Sequence, residues 1–118
     1  MTVNTLHDRT KQFSVRIVHI YLALPKSEIA RILGRQLLRS GTSPGAHCRE
    51  GYRSRSAAEM ISKYETSLQE LDETLYWLEL LIDSELTTAD RVGPLMDEAN
   101  EIISILVTSV KTIKSRRR

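Results

Sequence analysis

The chain has 118 residues, enough to bury one hydrophobic core and too few for two, so we expect one domain over residues 1–118. Its 41% hydrophobic and 27% charged residues argue against intrinsic disorder, and its single cysteine excludes an intramolecular disulfide and favours a reducing compartment. The net charge of +2 conceals a segregation: residues 1–55 hold ten Lys and Arg against three acids, and residues 56–110 hold two against twelve. This asymmetry favours a polyanionic partner or charge-matched self-association.

The first two helices are predicted from apolar residues that recur in steps of three and four. The first stripe covers residues 6–24, and Pro25 breaks the helix that carries it. Ser27 is suited to cap a second helix, because its hydroxyl can accept a hydrogen bond from an unpaired amide of the first turn.

The third and fourth helices have the longest apolar stripes, over residues 61–82 and 92–113. Ser56 and Glu59 form a capping-box pattern before the third, and Thr87 and Thr88 precede the fourth. Each helix offers one narrow apolar seam, and the connections are short. The sequence therefore predicts an all-α protein, an antiparallel up-down four-helix bundle. No segment alternates for long enough to predict a strand.

The segment Ser40-Gly41-Thr42-Ser43-Pro44-Gly45 leaves the form of the second helix open. Gly and Pro cost about 1 and 3 kcal/mol inside a helix, so composition favours a loop that joins two shorter helices. The alternative is one long helix, kinked at Pro44, in which small residues let two backbones approach closely.

Signals for export, membrane insertion and catalysis are absent from the sequence. The first eight residues lack a signal-peptide pattern, and no apolar run reaches the roughly 18 residues that span a bilayer, so we expect a cytoplasmic protein. His47 and Cys48 are adjacent and would point about 100° apart on a helix, which disfavours a shared metal. With no phosphate-binding glycine motif and no nucleophile elbow, we expect no enzyme activity, metal or cofactor.

Arginines at helical spacing are the strongest candidates for a binding site. Arg31, Arg35 and Arg39 fall on one stripe, and if the second helix is continuous, Arg49 and Arg53 return to the same angles. Such a stripe can neutralise the phosphates of a nucleic acid, and the five bases of residues 111–118 add to it. The alternative is that the arginines are solvated or paired with the acidic third and fourth helices.

Two helical segments are more apolar than the core of a bundle requires. Residues 75–82 are apolar nearly all the way round the third helix, and residues 102–107 widen the apolar face of the fourth. We therefore expect copies of the chain to associate; the alternative is a thicker core within one copy. The predicted interface residues are Trp77, Leu80, Leu81, Ile103 and Val107.

Several motifs, in this order along the chain, resemble those of a known protein family. They are Leu24-Pro25-Lys26-Ser27-Glu28-Ile29, the run from Gln36 to Ala46, Arg49-Glu50-Gly51-Tyr52-Arg53, and the run from Glu70 to Leu81. Through them, about residues 5–113 are similar to the four-helix bundle proteins first noticed in intervening sequences of bacterial 23S ribosomal RNA genes. The resemblance implies a long second helix that continues through Pro44 and a ring-shaped homopentamer.

The relative best understood in function is the accessory variability determinant of diversity-generating retroelements, a basic pentamer that binds nucleic acid and a reverse transcriptase. The resemblance thus implies a noncatalytic oligomer that binds RNA or DNA, with a reverse transcriptase as a further partner. The implied binding residues are Arg31, Arg35, Arg39, Arg49, Arg53 and Arg55. A scaffolding oligomer without nucleic-acid binding is the competing expectation.

His47 departs from the family pattern, which often has Asn at this position. A histidine there would either make the contact sensitive to pH or form a buried polar contact between helices, and we expect the second.

Overall fold

The computed structural model describes residues 3–116, which form four α-helices. The helices are α1 (Val3–Ala23), α2 (Glu28–Tyr52), α3 (Ala57–Asp83) and α4 (Ala89–Arg116). No strand occurs within these residues, so the predicted all-α class is confirmed. None of the described helices is both long enough and apolar enough to cross a membrane.

Hydroxyl side chains begin three of the four helices. The side-chain oxygens of Ser27, Ser56 and Thr88 each accept a hydrogen bond from the backbone amide three residues later, at 3.1–3.2 Å. The helix starts predicted at these positions are confirmed. The capping box of α3 differs from the expectation, because Glu59 accepts its bond from the amide of Arg55, one residue before the cap.

α2 runs unbroken past Gly41 and Pro44, so the loop favoured by composition is wrong and the continuous helix implied by the family resemblance is confirmed. Gly41 lets α1 come close, because a Cβ placed on it would lie 2.7 Å from Cγ1 of Ile17. The close packing of α1 against α2 needs a residue without a side chain at position 41. The free energy of this packing offsets the cost that glycine has in an isolated helix.

Small polar residues join α2 to α3 inside the bundle. The Thr74 hydroxyl donates a hydrogen bond to Oγ of Ser40 at 3.0 Å, and the Ser67 hydroxyl donates to the carbonyl oxygen of Pro44 at 3.1 Å. Since buried polar groups are costly mainly when unpaired, these bonds let a polar segment lie in the interior. The thiol of Cys48 also donates to Ser67, and burial raises the pKa of that thiol to about 11.

Each helix packs against its neighbours in sequence, and α4 closes the bundle against α1. Thr10 lies beside Gly45 and Tyr21 beside Gly34, so residue numbers fall along α2 as they rise along α1. The α2–α3 hydrogen bonds run in the same antiparallel sense. The predicted up-down four-helix bundle is confirmed, with overall dimensions of 51 × 22 × 20 Å.

The core is aliphatic and draws on all four helices. Its fully buried side chains include Ile17, Leu37, Leu71, Leu78, Leu81, Ile102 and Leu106, which belong to the predicted stripes or lie beside them. Leu81 was expected to lie between copies of the chain. It is 0% exposed within a single copy, so that prediction is wrong for this residue.

Candidate nucleic-acid interface

All six predicted arginines have exposed positions on or next to α2. Four lie within α2, Arg53 is its C-cap, and Arg55 follows in the connection to α3. At about 100° per residue, the first five lie within roughly 80° of each other around the helix, opposite its buried face. We call these five residues the arginine ridge: Arg31, Arg35, Arg39, Arg49 and Arg53.

The arginine ridge consists of two groups. Arg31, Arg35 and Arg39 occupy the first turns of α2, and Arg49 and Arg53 its last turn. About 15 Å of helix separates the groups, as follows from a rise of about 1.5 Å per residue. Small neutral residues cover the same angle between them, so the charge is concentrated in the first half of the helix and at its C-terminal end.

Arg39 is the one ridge residue that forms an ion pair within the described part of the chain. Its guanidinium donates hydrogen bonds to Glu73 of α3 and to Gln36. Glu73 also accepts a bond from Nε1 of Trp77 at 2.9 Å, and the indole and the guanidinium together hold the pKa of Glu73 below its ordinary value. Among the ridge arginines, pairing with the acidic helices, the alternative drawn from sequence, therefore applies within the described residues of one copy to Arg39 alone.

A groove between α1 and α2 lies beside the second group of ridge arginines. It has a volume of about 400 Å³ and is lined by His7, Thr10, Lys11, Ser14, Gly45, Ala46, Arg49 and Glu50. Lys11 and Arg49 place positive charge on its two helical walls. Nε2 of His7 is buried and has no hydrogen-bond partner among the described residues.

An exposed tyrosine lies at the end of α2, between two ridge arginines in sequence. Tyr52 is 50% exposed, and its ring meets that of His7 edge to face, with centroids 5.1 Å apart and planes at 79°. Sequence reasoning missed this residue because a single aromatic at a helix end adds nothing to an apolar stripe. The alternation of arginine and aromatic in Arg49-Glu50-Gly51-Tyr52-Arg53 could have indicated it.

The bases at the end of α4 lie at the same end of the bundle as the end of α2, because these two helices run in the same direction. Lys111, Lys114 and Arg116 are exposed there, and Lys114 pairs with Glu65 at 3.4 Å. Residues 117–118 of the predicted basic cluster lie outside the described residues.

Basic and acidic helices lie on opposite sides of the molecule. α1 and α2 belong to residues 1–55, with ten bases and three acids, and α3 and most of α4 to residues 56–110, with two bases and twelve acids. Since the four helices pack in sequence order around one core, the first pair lies opposite the second. The charge segregation seen in the sequence thus becomes a basic face and an acidic face.

A model of 23S rRNA-intervening sequence proteins matches residues 4–108. The chain belongs to this family. It is also similar to a protein of unknown function from the S23 ribosomal protein family of Bacteroides thetaiotaomicron, whose crystal structure superposes with a TM-score of 0.85. The two sequences are 38% identical over 90% of this chain and 98% of that one. No curated protein matches the chain with significance.

His47 and Cys48 of this intervening-sequence protein bond to different residues of α3. Nδ1 of His47 lies 2.8 Å from Oε1 of Glu70, so the predicted polar contact between helices is present, although it is only partly buried. Cys48 faces Ser67 in the core. In the described part of the chain, no three His, Cys, Asp or Glu side chains converge to hold a metal.

The apolar surface of α3 and α4 includes the other residues predicted to join copies of the intervening-sequence protein. Val107 is 36% exposed, and Trp77, Leu80 and Ile103 are half-buried. Tyr76, which the sequence did not single out, is 56% exposed, and its ring lies edge-on to that of Trp77 at 5.1 Å. These side chains leave apolar area uncovered on the acidic side of one copy.

A second apolar stripe, on α1, was not predicted. Val15, Val18 and Leu22 are 36–65% exposed and lie at helical spacing. They follow one another at steps of three and four, outside the stripe of core positions on the same helix. A count of all such stripes on the first helix, rather than of the longest one, could have shown it.

Proposed function

We propose that this intervening-sequence protein is a noncatalytic, oligomeric bundle that binds nucleic acid through the arginine ridge. The observation that carries the proposal is that five exposed arginines share one face of α2 and only Arg39 is paired within the described chain. Unpaired guanidinium groups along about 33 Å of helix are suited to neutralise the phosphates of a nucleic acid backbone. Since such contacts read charge and not base edges, we expect weak sequence selectivity.

Two genetic contexts fit this function. The protein is either encoded within an intervening sequence of a ribosomal RNA gene or acts as an accessory factor of a retroelement, with a reverse transcriptase as its protein partner. The family assignment supports the first, and the resemblance to the accessory variability determinant supports the second. A reverse transcriptase gene next to this one favours the accessory role.

We also propose that the protein assembles with itself, as a homopentamer. A head-to-tail contact between copies closes into a ring when the rotation between them is suitable, and it leaves the arginine ridge open to nucleic acid when other surfaces make the contact. The exposed apolar side chains of α3 and α4 add area to bury. In solution we therefore expect one discrete oligomer.

A scaffolding oligomer without nucleic-acid binding is the second candidate function. The pair between Arg39 and Glu73 favours it, because it shows that a ridge arginine can be held by an acid of α3. In this alternative the remaining ridge arginines bind acids of the neighbouring copy, and no cation is left for phosphate.

A salt titration separates the two candidates. We expect the oligomer to bind structured RNA and duplex DNA at micromolar concentration or below, with log affinity falling linearly against log salt concentration. Binding is followed by fluorescence anisotropy and oligomer mass by light scattering. An intact oligomer that binds neither nucleic acid at low salt contradicts the proposal and leaves the scaffold.

Charge reversal tests the ridge itself. Arg31→Glu combined with Arg35→Glu should abolish binding and leave the oligomer intact, since both side chains are exposed and unpaired within the described chain. The matched control is Arg16→Glu with Arg91→Glu, which makes the same change in net charge away from the ridge and should retain most of the affinity. If the ridge variant instead separates into single copies, those arginines hold the oligomer together.

A further inference from the structure

Tyr52 combines exposure, fixed orientation and a basic neighbourhood. Half of the residue is open to solvent, and the ring of His7 supports one side of it. Arg49 lies one helical turn before it, Arg53 follows it directly, and Arg55 is two residues further on. A ring held in place before binding loses little conformational freedom when a second ring stacks on it.

A second exposed tyrosine, Tyr76, is also in contact with an aromatic ring but lacks the basic neighbourhood of Tyr52. Tyr76 is 56% exposed and meets Trp77 edge-on at the same 5.1 Å. Its neighbourhood is not basic, however, because Glu73 one turn before it is paired with Arg39 and Glu79 lies one turn after it. Near Tyr52 three arginines outnumber one acid, Glu50, which is paired with Lys63, so we expect a polyanion to approach Tyr52 in preference to Tyr76.

The groove next to Tyr52 provides room for the nucleotide that follows. Its volume of about 400 Å³ lies between Lys11 on α1 and Arg49 and Glu50 on α2, and Glu50 is paired with Lys63. Arg49 belongs both to this groove and to the arginine ridge. A strand whose phosphates follow the last turn of α2 is therefore led past the Tyr52 ring and along the groove.

We propose that Tyr52 is a stacking platform for an unpaired base, so that the ligand of the arginine ridge is single-stranded RNA or DNA in preference to duplex. The inference rests on the proposed nucleic-acid binding and specifies which form of nucleic acid the protein binds. In a duplex the faces of the bases are covered by their neighbours, and only the backbone is open to the protein. An unpaired base offers its π face to an aromatic side chain, whatever its identity.

The test compares two probes on the full-length protein. One is a short labelled oligothymidylate, and the other is a blunt-ended DNA duplex with the same total number of phosphates, both followed by fluorescence anisotropy at the same salt concentration. We expect the oligothymidylate to bind more tightly. Tyr52→Leu, which keeps an apolar side chain against His7 but removes the aromatic face, should weaken the single strand by about 5- to 150-fold, as loss of one stacked base does, and leave the duplex within about twofold.

Two further variants are controls. Tyr52→Phe keeps the ring and should bind the oligothymidylate as the unchanged protein does. Tyr76→Leu removes an aromatic of similar exposure from the acidic side and should change neither affinity. A thermal melt of each variant checks the fold, which we expect to be unaffected because both tyrosines are at least half exposed.

The outcomes separate this inference from the proposed function. If the duplex binds at least as tightly as the single strand, or Tyr52→Leu weakens both probes alike, Tyr52 does not stack on a base, while nucleic-acid binding stands. If the unchanged protein binds neither probe at low salt, both the stacking and the proposed function are wrong.

Discussion

Gly41 allows the short distance between α1 and α2 because glycine has no Cβ. A methyl group at this position would lie 2.7–2.8 Å from both γ carbons and the δ carbon of Ile17. Ile17 is β-branched and 0% exposed, so its side chain has little freedom to turn away. Any larger residue at position 41 must push the two helices apart or distort the core.

We expect Gly41→Ala to lower the free energy of unfolding by about 1–2 kcal/mol. Overpacking in a core costs about 1–3 kcal/mol, and the better helix propensity of alanine returns up to about 1 kcal/mol. Urea denaturation measures the change. A neutral or stabilising effect would mean that α1 can move away at little cost.

A double-mutant cycle with Ile17→Ala tests whether contact with Ile17 causes the loss of stability in Gly41→Ala. Ile17→Ala alone should destabilise by about 2–5 kcal/mol because it leaves a cavity. Since the methyl group introduced by Gly41→Ala would occupy part of that cavity, the double variant should lose less stability than the sum of the two single changes. Additive effects would show that the Gly41 variant fails for a reason other than contact with Ile17.

At the scale of the helices, one cluster of ionic hydrogen bonds connects the first to the last. Nε of Arg9 on α1 lies 2.9 Å from Oε2 of Glu98, and Nη2 lies 2.7 Å from Oε2 of Glu101, both on α4. α1 and α4 share the smallest of the helix contacts in the bundle. Hydrogen bonding to Arg9 lowers the pKa of the Glu98 carboxyl below its ordinary value of 4.5.

The lowered pKa of Glu98 predicts how stability depends on pH. A carboxyl whose pKa is lower in the folded than in the unfolded chain stabilises the fold above its ordinary value, and this contribution is lost as the pH falls through the folded value. We therefore expect Glu98→Gln to cost about 1 kcal/mol at neutral pH, for a partly exposed charged pair, and progressively less below about 4.5. Urea denaturation of both proteins at a series of pH values measures this loss of stability.

Glu65→Gln is the matched control on another pair of helices. Glu65 pairs with Lys114 at 3.4 Å, and both side chains are about half exposed, so the change should be close to zero at every pH. If Glu98→Gln behaves like this control, the ion pair between Arg9 and Glu98 does not contribute to closing the bundle.

The path of α2 shows where sequence reasoning succeeded and where it stopped. Ser27 and Ser56 were predicted as caps because a cap depends on residues only three apart. The segment from Gly41 to Pro44 was read from composition as a loop, because the partners that stabilise it as helix, Ile17 and Ser67, lie on other helices. Family resemblance supplied the continuous helix, and local propensity could not.

The candidate site, like the path of α2, was predictable from the sequence only in part. The shared angle of the arginine ridge follows from helical arithmetic once α2 is continuous. The pair between Arg39 and Glu73 joins residues 34 apart, and the contact of Tyr52 with His7 joins α2 to α1. Both depend on how the helices pack, which spacing along one helix does not determine.

At the scale of the whole molecule, the proposed self-association requires that the apolar area on α3 and α4 be covered by another copy. Val107 and Val18 are each 36% exposed, but Val107 lies on the acidic side and Val18 on the basic side. We expect Val107→Asp to dissociate the oligomer, because a carboxylate buried in an interface without a partner is costly. Mass from light scattering at several protein concentrations measures the effect.

Val18→Asp is the control for exposure and for charge. It changes an equally exposed valine to the same residue, and we expect the mass to remain that of the oligomer. If Val18→Asp dissociates the oligomer and Val107→Asp does not, the contact involves the apolar stripe of α1 and not the surface predicted on α3 and α4.

The opposite charge of the two faces also determines how the bundle meets a polyanion. An electric field exerts a torque on such a molecule, so a nearby nucleic acid turns the basic face towards itself before contact and speeds productive encounters. On the proposed function, a bound protein turns to solvent the part of its acidic face that other copies leave uncovered, and this part has the same sign of charge as the strand. A second strand is repelled from that outer surface, and a coated nucleic acid stays separate from its neighbours instead of being crosslinked to them.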